Sequence, residues 1–327
     1  VAWGRCSSPA GGNGRADFPS VFEETLPPHP GIASQRCEHP MRWRSFLARL
    51  ASASMNTPRR LTKDSAFTLI ELLVVVAIIA ILTAILVPVA GMMAKKGRMS
   101  RELNAAKNLM AAYAAYSTAH DGQLIKGYDK TETEVSLPGG VTVSGEMVCR
   151  YPWRLAEFLG GQLEGVFLVN DNTRQTAKLH TDSFEYQYRA SLNPAFGINA
   201  YCVGGFDDGS GSGFFSSDVV TRMAGASNSS RLIVFATARM KQTGVEDTPG
   251  NFLVVPPRLW RTQWSRPFDP KKTSASFGNV DLRWDNKAIC AFLDGHVEML
   301  GEEEIVDMRR WSNTAAENND PNFSVPR

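Results

Sequence analysis

Residues 67–93, FTLIELLVVVAIIAILTAILVPVAGMM, form one apolar run interrupted by a single charge, Glu71, and preceded directly by the basic and polar stretch 58–66, PRRLTKDSA. At about 1.5 Å per residue such a run makes a helix of roughly 40 Å, enough to cross a hydrocarbon core roughly 30 Å thick. A buried helix of a soluble domain is usually shorter and carries polar residues every few positions. A cleaved secretory signal has an apolar core of about 7–15 residues and no carboxylate in it. The run therefore reads as a membrane-inserted helix.

Glu71 is the anomaly within it. An ionised carboxylate near hydrocarbon is strongly penalised unless it is neutralised, reaches the headgroups or meets a cation. Close to the helix start, Glu71 can reach the interface and the positive end of the helix dipole. That position explains why the charge is tolerated, and leaves its purpose open.

The octapeptide Ala66-Phe67-Thr68-Leu69-Ile70-Glu71-Leu72-Leu73 resembles the cleavage and methylation motif of type IV pilins and type II secretion pseudopilins. The resemblance implies processing by a prepilin peptidase/N-methyltransferase, with the cut between Ala66 and Phe67 on the cytoplasmic side and methylation of the new amine. Glu71 then becomes the fifth residue of the mature chain. In such filaments this carboxylate is thought to pair with the N-terminal amine of a neighbouring subunit, and a neighbour in the wrong axial register leaves the charge unpaired. Glu71 would thus select register more than it adds stability. The family's mid-helix proline has its counterpart in Pro88, which removes one backbone hydrogen bond and allows a kink. The family prefers Gly before the cut; Ala66 stands there instead, which implies slower processing.

Basic residues flank the span on both sides, Arg59, Arg60 and Lys63 before it and Lys95, Lys96, Arg98 and Arg101 after it, so charge counting does not orient it. The resemblance does. It implies a single-pass protein of the inner (cytoplasmic) membrane, in contact with its lipid, with the C-terminal domain outside the cytoplasm and later within a pilus or pseudopilus built with other pilin or pseudopilin subunits.

Composition agrees with an anchored, exported protein. Of the 327 residues roughly 260 follow the cut, room for one long helix and an ordinary globular domain. A net charge of +2, with Lys and Arg scattered and no basic block interleaved with aromatics, argues against nucleic acid as a partner. Cys6 and Cys37 precede the cut, while Cys149, Cys202 and Cys290 follow it without metal-type spacing, leaving at most one disulfide and a spare thiol. Residues 1–54 lack periodic apolar pattern and are read as a spurious or disordered extension, with translation from Met55, or alternatively Met41, as the expectation. Residues 55–66 then form a compact leader, 67–93 the transmembrane and filament-core helix, 94–120 an amphipathic extension of it, 121–310 a globular β-rich head and 311–327 a disordered tail.

In the extension, Met99, Leu103, Ala106, Met110 and Tyr113 recur at three- and four-residue steps, predicting a stripe that rests on a sheet. Asp121-Gly122 supplies the stop near His120. Strands are expected at 141–148 (VTVSGEMV) and 184–190 (FEYQYRA), and in the short runs INAYCV, RLIVFAT and NFLVV. A short helix is expected at 152–159, with Pro152 near its start and Gly160-Gly161 after its end. The fold class is therefore α+β and pilin-like, a long N-terminal helix packed on an antiparallel sheet. The loop 204–213, GGFDDGSGSG, is an exposed hairpin loop or a cation site built by Asp207 and Asp208. Some pseudopilins hold calcium in a C-terminal loop, but this stretch lacks the ligand spacing of an EF-hand, so no cofactor is expected and calcium is the weak alternative.

AICAFL-Asp294-Gly295-HVEML predicts a two-stranded ribbon with a two-residue turn of positive φ. This segment is similar to the C-terminal signature of a large H-X9-DG group of pilin-like proteins from planctomycete and verrucomicrobial bacteria, named for a His ten residues before the Asp-Gly pair. Trp284 occupies that position here, so no role of that His carries over. NPAFGINAYC and SSRLIVFATAR are similar to the same group, and the similarity covers most of 67–300. An enzyme is not expected: there is no HExxH, GxSxG, Walker loop or dinucleotide fingerprint, and on a two-residue hairpin Asp294 and His296 would project apart. His120 and His180 stand alone in sequence. The expected function is a pilin-like structural subunit. The alternatives are a static cell-surface anchor for a binding domain and a secreted protein cut after Ala90.

Overall fold

A computed structural model describes residues 68–209, 218–242 and 247–326. The cut between Ala66 and Phe67, the leader and residues 1–54 lie outside them. The chain divides into two compact units, one of them ending at Ala90 and the other taking in Gly91–Arg327.

One helix, α1 (Leu69–Ala119), runs without interruption from the apolar stretch into the amphipathic one, across Pro88. Pro88 has no N–H to donate within the helix. Five residues earlier the Thr83 hydroxyl donates back to the carbonyls of Ile79 (2.8 Å) and Ala80 (3.0 Å). α1 stops where the Asp-Gly pair predicts: Asp121 and Gly122 both take positive φ, and the Gly122 N–H closes the end on the Ser117 carbonyl at 2.7 Å.

From Gly91 onward the chain builds a head around a four-stranded antiparallel sheet, with strands β1 (Phe196–Ile198), β2 (Ile233–Thr237), β3 (Lys287–Phe292) and β4 (Val297–Gly301) in the order β4-β3-β2-β1. All of β2 is buried, as its continuous apolar sequence requires of a central strand covered on both faces. The second half of α1 lies in the core with Ala105, Ala106, Leu109 and Tyr113 at 0% exposure, and the Tyr113 ring meets Phe235 of β2 edge-on at 5.5 Å. The architecture is thus α+β, a long helix packed on an antiparallel sheet. Gly197 sits in β1 because a Cβ there would lie 2.8 Å from the Leu253 backbone, so only glycine lets the two segments approach.

Several local expectations are corrected. Residues 184–190 are helical, not extended: the helix Phe184–Leu192 is capped by Ser183, whose hydroxyl accepts the Tyr186 N–H, and is held by a Glu185–Arg189 pair at 2.9 Å. Its aromatic alternation serves the helix equally well, since Phe184 and Tyr188 stack one turn apart at 5.9 Å. Within 141–148 only Val141–Ser144 is a strand, paired with Glu134–Leu137. Gly145 then turns at φ +79° and Glu146–Cys149 is helical, with Glu146 bonded to Arg150 at 3.0 Å. The NFLVV segment bridges β1 at Ile198–Leu253 without forming a strand of its own, and two prolines follow it. The helix expected at 152–159 is Tyr151–Ala156 extended by a 3-10 turn to Leu159, with Gly160 left-handed after it.

The tail expected to be disordered is folded through residue 326. Trp311 is fully buried and donates its indole N–H to the Ile305 carbonyl at 2.7 Å. Asn313–Glu317 is helical with Ser312 as its cap, and buried Val325 bridges to Leu259. The anchors are single apolar residues separated by polar ones, so they leave no periodicity. The Asn199 amide, buried beside β1, ties the tail to the sheet by donating to the carbonyls of Ile233 and Trp311, both at 3.0 Å. The head is consequently less β-rich than expected, with short helices carrying much of it.

Candidate functional site

The start of α1 is built by a reciprocal cap. Thr68 is the residue before the helix and Glu71 the third within it. The Glu71 N–H donates to the Thr68 hydroxyl (3.3 Å), while the Glu71 carboxylate accepts from the Thr68 N–H (2.9 Å) and the Thr68 hydroxyl (2.8 Å). This is a capping box, which satisfies donors that the first turn otherwise leaves open and sets the carboxylate against the positive helix end. Thr68 is the contributor that sequence reading passed over. Its signal, Thr-x-x-Glu ahead of an apolar run, was present.

Every residue from 68 to 97 is exposed, Leu69 by 82% and Val87 by 70%. α1 is long and apolar enough to cross a membrane by length and composition, and among the described residues nothing buries its most apolar window. Core helices of soluble proteins bury such a surface. Ala66 and Phe67, the expected processing pair, precede the described residues, and Pro88 lies inside the uncovered stretch.

A second carboxylate on the same helix has the opposite setting. Glu102 is 1% exposed; it accepts the Trp284 indole N–H at 2.7 Å and the Asn170 amide at 3.0 Å, and Arg283 stands 3.6 Å away. Burial pulls the Arg283 guanidinium down, yet Asp281 and then Glu102 outweigh it and hold its pKa above the ordinary value. Trp284 therefore fastens the helix to the head. It also opens a tight hairpin, Trp284-Asp285-Asn286-Lys287, whose two central residues take φ of 53° and 59° and whose ends exchange both backbone hydrogen bonds. Sequence reading missed this turn, although Asp-Asn suits the positive φ values of such turns.

Asp294-Gly295 joins β3 to β4 by a longer loop than expected. The Gly295 N–H bonds the Phe292 carbonyl at 2.8 Å, the Phe292 N–H bonds the His296 carbonyl at 3.0 Å, and only Gly295 has positive φ. This is a three-residue loop with a glycine bulge. The added residue corrects the expectation that Asp294 and His296 diverge: the His296 ring Nδ1 lies 2.6 Å from the Asp294 carboxylate, and the ring stacks on Phe292 at 4.2 Å. His120 stacks instead on Tyr116 and His180 lies exposed, so the described histidines do not converge on one point.

Asp207 is engaged by the Lys126 ammonium, 3.0 Å from it and 2.9 Å from Asp129. The Gly209 N–H and Lys126 hold the Asp207 carboxyl below its usual range, and the charge that a cation would supply there is already supplied by Lys126. Asp208 adjoins it, and the loop beyond Gly209 is outside the described residues. Among the described residues no group of three or more His, Cys, Asp and Glu is placed to hold a metal ion. Cys149, Cys202 and Cys290 are buried free thiols, each pushed up in pKa chiefly by burial.

No curated protein and no solved structure matches the chain. Residues 61–87, which end one residue before Pro88 and take in both Thr68 and Glu71, match the family described as the prokaryotic N-terminal methylation motif, and this supports a type IV pilin-like protein.

Proposed function

We propose that the chain is a pilin-like structural subunit, cut by prepilin peptidase between Ala66 and Phe67, methylated at the new amine, held in the inner membrane by residues 67–93 and assembled into a type IV pilus or type II secretion pseudopilus. The observation that carries this reading is the conjunction of the methylation motif at 61–87 with a helix whose apolar surface is left uncovered by the described residues. A surface of that kind is stable in lipid first, and then among like helices that replace the lipid. Extraction is uphill until neighbours cover the helix, so assembly needs an external motor, and the subunit itself catalyses nothing.

Glu71 is the register element in this proposal. Its partners among the described residues come from its own first turn, and a cation from another subunit has that local cap to displace. Kinship with the H-X9-DG group is a further part of the proposal, supported by the β3–β4 ribbon around Asp294-Gly295, with Trp284 in place of the His.

Mass spectrometry of the mature N-terminus tests the reading. N-methylated Phe67 is expected. A chain beginning at Gly91 would establish secretion by signal peptidase instead, and an uncut leader in cells that process other prepilins would leave a static anchor.

A further inference from the structure

Along α1 the apolar run is followed directly by a cluster of basic residues. Lys95, Lys96, Arg98 and Arg101 follow Met93 within eight residues of α1, and Lys96 and Arg101 are exposed. Lys95 is shared with Asp285, at the tip of the Trp284–Lys287 hairpin, in a pair whose side chains are 46% and 74% exposed. Lys96, Arg98, Arg101 and Lys287 form no ion pair among the described residues. The nearby carboxylate Glu102 is buried and committed to Trp284, Asn170 and Arg283.

The spacing fits one structure in particular, the headgroup layer. That layer is about 5–7 Å thick on each side of the hydrocarbon core. At about 1.5 Å per residue Lys95, Lys96 and Arg98 all fall within about 8 Å of Met93. Arg101 lies one turn further, but helical side chains lean toward the N-terminus, which here is toward the apolar run.

We propose that Lys95, Lys96, Arg98 and Arg101 form a collar that binds the phosphates of anionic phospholipids where α1 leaves the bilayer, with Asp285 competing for Lys95. The inference rests on the reading that residues 67–93 enter a bilayer, and it holds for either orientation of the span. The collar sets how deeply the head is seated before the helix leaves the membrane, and each phosphate contact must break when it does.

The test uses the full chain reconstituted in phosphatidylcholine vesicles with and without phosphatidylglycerol. Resistance to alkaline extraction reports insertion, and native mass spectrometry after detergent release reports the lipid retained. Wild type is expected to retain phosphatidylglycerol in preference to phosphatidylcholine. Lys96→Gln with Arg101→Gln weakens that preference by about five-fold per charge removed. Asp285→Asn strengthens it by freeing Lys95, and high salt lowers it in every case. Equal retention of the two lipids by an inserted wild-type chain overturns the collar and leaves the span intact. So does an inserted double variant that keeps full preference, or one that loses self-association instead, which would assign the belt to a neighbouring subunit. A chain that fails to insert at all overturns the span reading and the collar together.

Discussion

Glu71 and Glu102 are two carboxylates on one helix, and the two halves of α1 treat them differently. Glu71 lies where every residue is exposed, and its partner, Thr68, comes from the same turn. Glu102 is buried, and its partners Asn170 and Trp284 lie 68 and 182 residues away along the chain. A charge on an apolar helix face must find compensation. For Glu102 the fold supplies it. Among the described residues Glu71 has only a local cap, and in the proposed filament its further partner comes from a neighbouring subunit. The same contrast applies to surface: one face of residues 102–117 is buried in the head, while residues 69–93 are exposed among the described residues.

The largest effect expected from this contrast is on the buried member. Glu102→Ala leaves the Trp284 indole N–H without its acceptor, takes one acceptor from the Asn170 amide and removes one of the two carboxylates beside Arg283, at a cost of about 3 kcal/mol, read as a fall in the thermal midpoint of the full chain in detergent. Glu71→Ala should change the stability of the head by less than about 0.5 kcal/mol and leave insertion intact, while strongly reducing incorporation into filaments. Equal losses of stability for the two variants would break the comparison, and normal filament yield from Glu71→Ala would remove the register role.

Trp284→Phe sharpens the comparison, because it keeps most of the buried ring and deletes the donor to Glu102, at an expected cost of about 1–3 kcal/mol. An unchanged midpoint would mean that Asn170 and Arg283 satisfy Glu102 by themselves.

Acid should act on the head more weakly, and in a defined direction. Asp129 is 9% exposed at its side chain; burial raises its carboxyl, but Thr131 and Lys126 more than offset this and leave it below the ordinary value. Burial likewise raises Asp307, and Arg309 brings it below the usual range. Carboxyls lowered by folding contribute stability that is complete above their unfolded values, about pH 4, and is lost as pH falls through the lower folded ones. The thermal midpoint of the head should therefore hold from neutrality to about pH 5 and decline below it. A head that loses stability instead between pH 8 and pH 6 would point to histidine, and so against these pairs.

The smallest effect belongs to the local cap. Thr68→Val removes the hydroxyl from the capping box and costs about 1 kcal/mol in the first turn, seen as fraying of α1 by amide exchange in detergent micelles. The head should be untouched. If Thr68→Val also lowers filament yield, the cap and the register role of Glu71 are coupled.

Much of this was legible beforehand. The apolar run at 67–93, the stripe Met99 to Tyr113, the stop at Asp121-Gly122 and the buried strand at 233–237 all follow from periodicity or from turn chemistry, which act over a few residues. The misreadings have separate causes. At 184–190 an aromatic alternation fits strand and helix equally, and the Ser183 cap with the Glu185–Arg189 pair decides for helix. In the tail, Trp311 and Val325 are isolated apolar residues whose burial depends on Asn199, Trp264 and Leu259, far away in the chain. At Asp294-Gly295 one extra residue in the loop turns Asp294 and His296 toward each other.

From its sequence alone this protein had its span, its lone acid at the helix start and the motif around them, since each is a matter of consecutive residues and the solvent they prefer. Tertiary structure alone decided that Glu102 would be held by Trp284 and Arg283, and that the last residues would close over the sheet. It also left Cys149, Cys202 and Cys290 as buried free thiols. Those outcomes depend on which distant side chains arrive at the same place, and a buried charge or an isolated apolar anchor is stable only after they have arrived.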